Sequence, residues 1–102
     1  MMNTYQEFTL LNEEKVKLTL TFGKLNLLKS IHPALYERFN KILYGKSEDI
    51  LDLVTMVYVA YWCANYDGVT ELHKENEFYD LVDFDASELS RVFTALTQPK
   101  KK

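Results

Sequence analysis

Few side chains of this 102-residue chain could do chemistry: two histidines, one cysteine and a run of carboxylates. His73 and Glu77 are four residues apart, which on a helix would place a nitrogen and a carboxylate together on one metal. Two ligands do not complete a zinc site, so we interpret this pair as part of a solvated helix face. His32 precedes Pro33 at a helix boundary and has no carboxylate or cysteine nearby in the sequence, which favours a capping or surface role.

The single cysteine, Cys63, has apolar neighbours that would raise the pKa of its thiol, so we expect it in the core. It excludes an intramolecular disulfide, which suits a reducing cytoplasm. The acids that follow Asp67 do not form a calcium-binding loop, and three glycines are too few for a phosphate-binding loop. The sequence therefore predicts no catalytic, cofactor-binding or metal site, and a metal-dependent or cysteine-dependent enzyme is the least favoured interpretation.

Aromatic side chains form the remaining candidate site. Tyr58, Trp62 and Tyr66 follow one another at helical i, i+4 and i+8 spacing, and Tyr61 lies beside them. They could belong to the core with their hydroxyls at the surface, or they could bind a partner, because Tyr and Trp are enriched at interface hot spots. We take these four residues as candidate partner-binding residues, and we expect Ala in place of Trp62 or Tyr58 to weaken a complex without unfolding the chain.

The helix that carries these aromatics is apolar on all sides. Residues 53–64 contain no charge, glycine or proline, and a 3.6-residue period distributes their apolar side chains around the helix. The stretch is well below the ~20 residues that span a bilayer, so we expect no membrane partner. In a small domain the helix either takes almost all the other apolar faces of its chain or leaves a face for a client or a second copy. We expect such a surplus face.

The remaining elements are predicted from periodicity. Residues 6–22 alternate in polarity around the bend 12–14 and predict a β-hairpin whose second strand reaches Phe22. A short helix should end near His32, and an amphipathic helix should run from Pro33 to Gly45. The apolar helix should begin after an N-cap at Ser47 and end near Tyr66.

Two further helices complete the prediction, one within residues 70–82 and one that starts at Asp85 and Glu88 with a capping-box pattern. The expected fold is mainly α, an α+β bundle of about four to five helices with an N-terminal hairpin. We expect a single domain over residues 1–98, followed by a disordered lysine tail at residues 99–102.

The charge balance is acidic, with 12 basic residues against 15 acidic ones. Between Asp67 and Glu88 the sequence holds eight acids and the single base Lys74. Phosphate binding needs clustered Lys and Arg, and no basic stripe precedes the tail, so the sequence predicts no nucleic-acid partner. No secretory signal is visible at the N-terminus, and we therefore expect a cytoplasmic protein.

The order of elements resembles the tail assembly chaperones of long-tailed phages and prophages. The likeness rests on the hairpin ending in Phe22 and Gly23, the short helix, the helix ending at Gly45, the apolar helix of residues 49–65, the acidic segment 77–83 and the closing amphipathic helix. It is a likeness of layout and apolar pattern, and it spans nearly the whole chain.

This resemblance implies a non-enzymatic chaperone in the host cytoplasm that binds the tape measure protein and keeps it soluble while tail tube subunits polymerise. It implies contact with the tape measure protein, with the tail tube protein as a further candidate partner, and absence from the mature virion. Family members are often made in two lengths by frameshifting, for which codons of residues 100–102 could supply a slippery run; a merely solubilising tail is the alternative. A small structural or connector protein of the phage tail is the alternative function.

Overall fold

A computed structural model describes residues 5–45 and 49–97 of the chain. The described residues form two strands and five helices, in the order β1 (Gln6–Thr9), β2 (Lys15–Leu18), α1 (Phe22–Ile31), α2 (Pro33–Gly45), α3 (Ile50–Asn65), α4 (Glu75–Asp80) and α5 (Ala86–Thr97). The prediction of a mainly helical fold with an N-terminal antiparallel hairpin is confirmed.

The hairpin is shorter than the polarity pattern predicts. β1 and β2 pair antiparallel with Phe8 opposite Val16, so both side chains face the core. The second strand ends at Leu18 rather than at Phe22, because the Thr21 hydroxyl accepts a hydrogen bond from the Lys24 backbone N–H and starts α1. A cap that satisfies a helix N-terminus therefore ends the extended run.

Helix α3 passes through the centre of the protein. Its 16 residues extend over about 24 Å, and the other helices and β2 pack around it. Asp49 caps it, since its carboxylate accepts a hydrogen bond of 2.9 Å from the Leu51 N–H. The predicted N-cap at Ser47 lies outside the described residues.

The chain buries its most apolar helix itself. Every residue from Thr55 to Cys63 is buried. The expectation that α3 leaves an open apolar face is therefore wrong over these residues, because β2 and helices α1, α2, α4 and α5 together enclose it. Exposed apolar side chains occur instead at helix ends and in loops, as at Phe22, Val69 and Phe84.

The last two helices follow the predicted order. Helix α4 lies within the predicted range 70–82, although it has only six residues and is preceded by a loop over residues 66–74. Before α5, the Asp85 carboxylate accepts a hydrogen bond of 3.2 Å from the Glu88 N–H, which is one half of the predicted capping box. The other half does not form, because the Glu88 carboxylate accepts from Arg91 and the Asp85 N–H donates to Asp83 O. The predicted tail at residues 99–102 lies outside the described residues, and the single-domain boundary at residue 98 stays a prediction.

Candidate functional site: an aromatic groove beside the central helix

An open groove of about 670 Å³ lies between the α1–α2 junction, one side of α3 and the segment before α4. Its lining combines apolar and aromatic side chains with a few charged ones at the edge: Ile31, His32, Pro33, Ala34, Leu35, Arg38, Tyr58, Trp62, Tyr66, Thr70, Leu72, His73, Lys74 and Glu75. We call this the aromatic groove. Its volume falls within the range of about 300 to 1,000 Å³ that is common for ligand pockets.

Three of the four candidate partner-binding residues line this groove. Trp62 and Tyr66 stack with ring centroids 4.4 Å apart and an angle of 14° between their planes. The ring of His32 meets Trp62 edge-on at 5.8 Å. Tyr58 also lines the groove, but its ring packs against Phe78, so the predicted stack along one helix edge is complete only for Trp62 and Tyr66.

Of the two interpretations of the four aromatics, burial favours the core interpretation for three of them, and their role in partner binding stays a prediction. Tyr58, Tyr61 and Trp62 are buried, and only Tyr66 is partly exposed. Tyr61 does not line the groove; its ring stacks on Phe78 with centroids 4.7 Å apart. Because α3 lies at the centre of the fold, most of its aromatic side chains pack behind the groove surface and do not extend into solvent.

The loop over residues 66–74 forms one wall of the groove, and its first turn is held by Asp67. The Asp67 carboxylate accepts hydrogen bonds from the backbone N–H groups of Val69 and Thr70 and from the Thr70 hydroxyl. These three donors lower the pKa of Asp67. Gly68 adopts a positive φ of 82°, which a residue with a side chain would adopt only with strain. The Asp67-Gly68 pair is therefore a turn that ends α3 and redirects the chain.

The end of this loop is attached to α3 through two tyrosine hydroxyls. Tyr58 donates a hydrogen bond of 2.9 Å to the backbone carbonyl of His73. The His73 backbone N–H donates one of 2.9 Å to the Tyr61 hydroxyl. Burial raises the pKa of Tyr58 to about 12 and also raises that of Tyr61, so both phenols stay protonated at neutral pH.

The His73 side chain connects three parts of the chain. Its Nε2 atom lies 2.9 Å from a carboxylate oxygen of Glu14 in the hairpin turn, and its Nδ1 atom lies 3.7 Å from Glu77 in α4. Its ring stacks on Tyr61 with centroids 6.0 Å apart. The interpretation of His73 and Glu77 as a solvated helix face is wrong, because α4 begins only at Glu75 and His73 is half-buried in the loop.

A polar network at the groove edge connects α2, α4 and α3. Arg38 donates two hydrogen bonds of 2.7 Å to the Glu75 carboxylate, which raises the pKa of Arg38. Tyr79 donates to the same carboxylate at 2.5 Å, and its hydroxyl lies 2.7 Å from that of Thr55. Among the described residues, no buried side-chain polar atom is without a partner.

The other candidate chemical groups have structural roles. Burial of Cys63 raises the pKa of its thiol to about 12, which disfavours the reactive thiolate. His32 caps the end of α1 through its backbone N–H, which donates to Leu28 O at 2.7 Å. Across residues 5–45 and 49–97, no cluster of three or more His, Cys, Asp or Glu side chains could hold a metal ion. In the same ranges no helix has both the length and the apolarity to cross a bilayer.

Comparison of the chain with protein-family models, with curated proteins and with solved structures gives no match in any of the three.

Proposed function

We propose that this protein is a non-enzymatic tail assembly chaperone that binds the tape measure protein of a long-tailed phage or prophage in the aromatic groove. The observation that carries the proposal is the construction of the groove, which is open and lined largely by apolar and aromatic side chains, three of them from the central helix α3 and its C-terminal end. A tape measure protein is long and largely helical. An apolar groove fits a client of this kind, because a helix can insert its apolar stripe there.

Preorganisation supports the proposal further. The groove wall is held by the His73 backbone contacts with Tyr58 and Tyr61, and its edge by the ion pair of Arg38 with Glu75. A client therefore meets a surface that needs little ordering on binding, which reduces the entropic cost of association. The acid excess of the chain would keep the chaperone and its complex from aggregating in the host cytoplasm.

Co-expression with the tape measure protein encoded beside it tests this proposal. The wild-type chain should give a soluble complex that survives purification. Ile31→Glu places a carboxylate at a groove residue whose side chain is 40% exposed, so it should reduce recovery of the complex about tenfold while the chain stays folded. The matched control is Leu27→Glu, one turn earlier on the same helix, at a residue that is 36% exposed and does not line the groove.

Failure of the wild-type chain to form any complex would overturn the chaperone proposal. Equal recovery of the two variants would show that the client does not use the aromatic groove. The alternative function, a small structural or connector protein of the tail, predicts that the chain is retained in purified phage particles. Mass spectrometry of purified particles distinguishes the two, because a chaperone should be present only in infected cells.

A further inference from the structure

A second and smaller pocket lies where the first turn of α3 meets the connection between α4 and α5. It has a volume of about 130 Å³. Its apolar lining comes from Ile50, Leu51, Val54, Val82, Phe84 and Leu89. We call this the apolar pocket. It is separate from the aromatic groove, because no residue lines both.

The apolar pocket has a buried floor and an exposed apolar rim. Val82 and Leu89 are buried, whereas Leu51 is 62% exposed and Phe84 is 86% exposed. An apolar cavity of about 150 Å³ holds a benzene molecule, so this pocket has room for about one aromatic or branched aliphatic side chain. An isolated domain rarely exposes two large apolar side chains beside an open apolar pocket, so Leu51 and Phe84 indicate a contact site.

The surroundings of the apolar pocket are acidic. The two chain segments that build it, residues 49–54 and 79–89, contain no Lys, Arg or His and six acids: Asp49, Asp52, Asp80, Asp83, Asp85 and Glu88. Of these, Glu88 forms an ion pair with Arg91 of α5. Asp49 and Asp85 cap the N-termini of α3 and α5, where they offset the partial positive charge of each helix dipole. Asp80 and Asp83 are exposed and form no salt bridge with another described residue.

This charge pattern distinguishes between possible occupants. In a symmetric dimer the same patch occurs on both sides of the interface, so two copies that met here would place the acidic patch of each against that of the other. Like charges across an interface disfavour association. A partner with Lys or Arg around an apolar side chain gains attraction from the same carboxylates. A helix can present such a partner surface, since residues at i, i+3 and i+4 can contact both the pocket and its rim.

We propose that the apolar pocket is a second docking site, which binds one large apolar side chain of a basic amphipathic helix in a partner protein. Phe84 and Leu51 contact the apolar stripe of that helix, and Asp80 and Asp83 contact its Lys or Arg side chains. The site depends on the pocket and its charges alone, so it is independent of whether the aromatic groove binds a tape measure protein.

A synthetic amphipathic helix of about five turns, with leucine on one face and lysine on the other, is the probe. Its binding to the full chain is measured by fluorescence anisotropy and by NMR of methyl groups. We expect shifts at Val54, Val82 and Leu89, and a Kd that rises with salt. Phe84→Ser should raise the Kd about tenfold, and Phe22→Ser should leave it unchanged. Phe22 is the matched control because it is 91% exposed and lies on α1, away from the pocket lining.

Charge reversal provides the second arm of the experiment. Asp83→Lys should weaken binding of the lysine helix and strengthen binding of an otherwise identical helix with glutamate in place of lysine. Equal effects of Phe84→Ser and Phe22→Ser, or shifts confined to the aromatic groove, would overturn the proposal. So would concentration-dependent dimerisation that Phe84→Ser abolishes without any peptide, because a second copy would then be the occupant.

Discussion

The Tyr58 hydroxyl donates a hydrogen bond of 2.9 Å to the backbone carbonyl of His73, fifteen residues later in the chain. The backbone N–H of the same residue donates to Tyr61, one turn along α3 from Tyr58. Two side chains of the central helix therefore satisfy both polar backbone groups of one loop residue. Because the loop is attached in this way, it forms a defined wall of the aromatic groove.

Removal of the Tyr58 hydroxyl should loosen this wall. Tyr58→Phe keeps the ring contact with Phe78 but leaves the His73 carbonyl without its donor, which should lower the free energy of unfolding by about 1 to 2 kcal/mol. Urea denaturation measures this change. Hydrogen exchange of the amides in residues 69–74 should accelerate more than exchange in α5, because the lost contact is local.

Tyr44→Phe is the control for this variant, since Tyr44 is an exposed residue of α2 that is not part of the hydrogen-bond network described above. It should leave stability and exchange unchanged. If the two variants behaved alike, the Tyr58 contact with His73 would not hold the loop.

Trp62→Ala should destabilise the folded chain, so this variant does not isolate the effect of Trp62 on partner binding. Trp62 is buried and stacks on Tyr66, so its truncation creates a core cavity and should cost about 3 to 5 kcal/mol. The burial of Trp62 therefore replaces the expectation from the sequence that this change leaves the fold intact. Thermal unfolding followed by circular dichroism measures the loss, and a shift in Tm no larger than that of Tyr66→Ala would contradict the assignment of Trp62 to the core.

The sequence predicts the elements well because their signals are local. Pro33 and Gly45 bound α2 as expected, and Asp85 caps the start of α5. The burial of α3 could not be predicted, because uniform apolarity does not tell whether its own chain or a partner covers a helix. That answer depends on how five separate segments fold back onto α3, which periodicity within any one segment does not contain.

The sequence predicts the aromatic groove only in part, because the groove also depends on how separate segments of the chain fold together. The spacing of Trp62 and Tyr66 indicated that they would meet. The contacts that form the groove wall join residues far apart in the sequence, such as Arg38 with Glu75 and Glu14 with His73. The pair Asp67-Gly68 was the one local signal for the loop, since this dipeptide favours a turn.

The Cys63 thiol should react only after unfolding. It is fully buried in α3, and burial raises its pKa to about 12, so the thiolate is scarce and out of reach of reagents at pH 8. A chromogenic disulfide reagent should label the native protein orders of magnitude more slowly than the protein in concentrated urea. Rapid labelling of the native protein would contradict the buried position and would revive the possibility of a cysteine-dependent enzyme.

Stability should decrease at alkaline pH because buried phenols resist ionisation. The pKa of Tyr58 rises from 10.0 to about 12 on burial, and the pKa values of Tyr61 and Tyr79 shift in the same direction. In the unfolded chain these groups lose their protons near their ordinary pKa, so above that pH the folded state holds more protons than the unfolded state. The stabilisation is therefore fully present below pH 10 and is lost as the pH rises through the folded-state pKa of about 12.

Urea denaturation at a series of pH values from about 8 to 12 measures this dependence. The Cys63 thiol contributes to the same decrease in stability, and its contribution begins at a lower pH, because burial raises its pKa from 9.0 to about 12. Tyr58→Phe removes one of these titrating groups, so its stability should fall less steeply above pH 10 than that of the wild type, while Tyr44→Phe should follow the wild-type slope. A slope unchanged by Tyr58→Phe would mean that the Tyr58 phenol ionises equally in both states, and that its hydroxyl is open to water rather than buried.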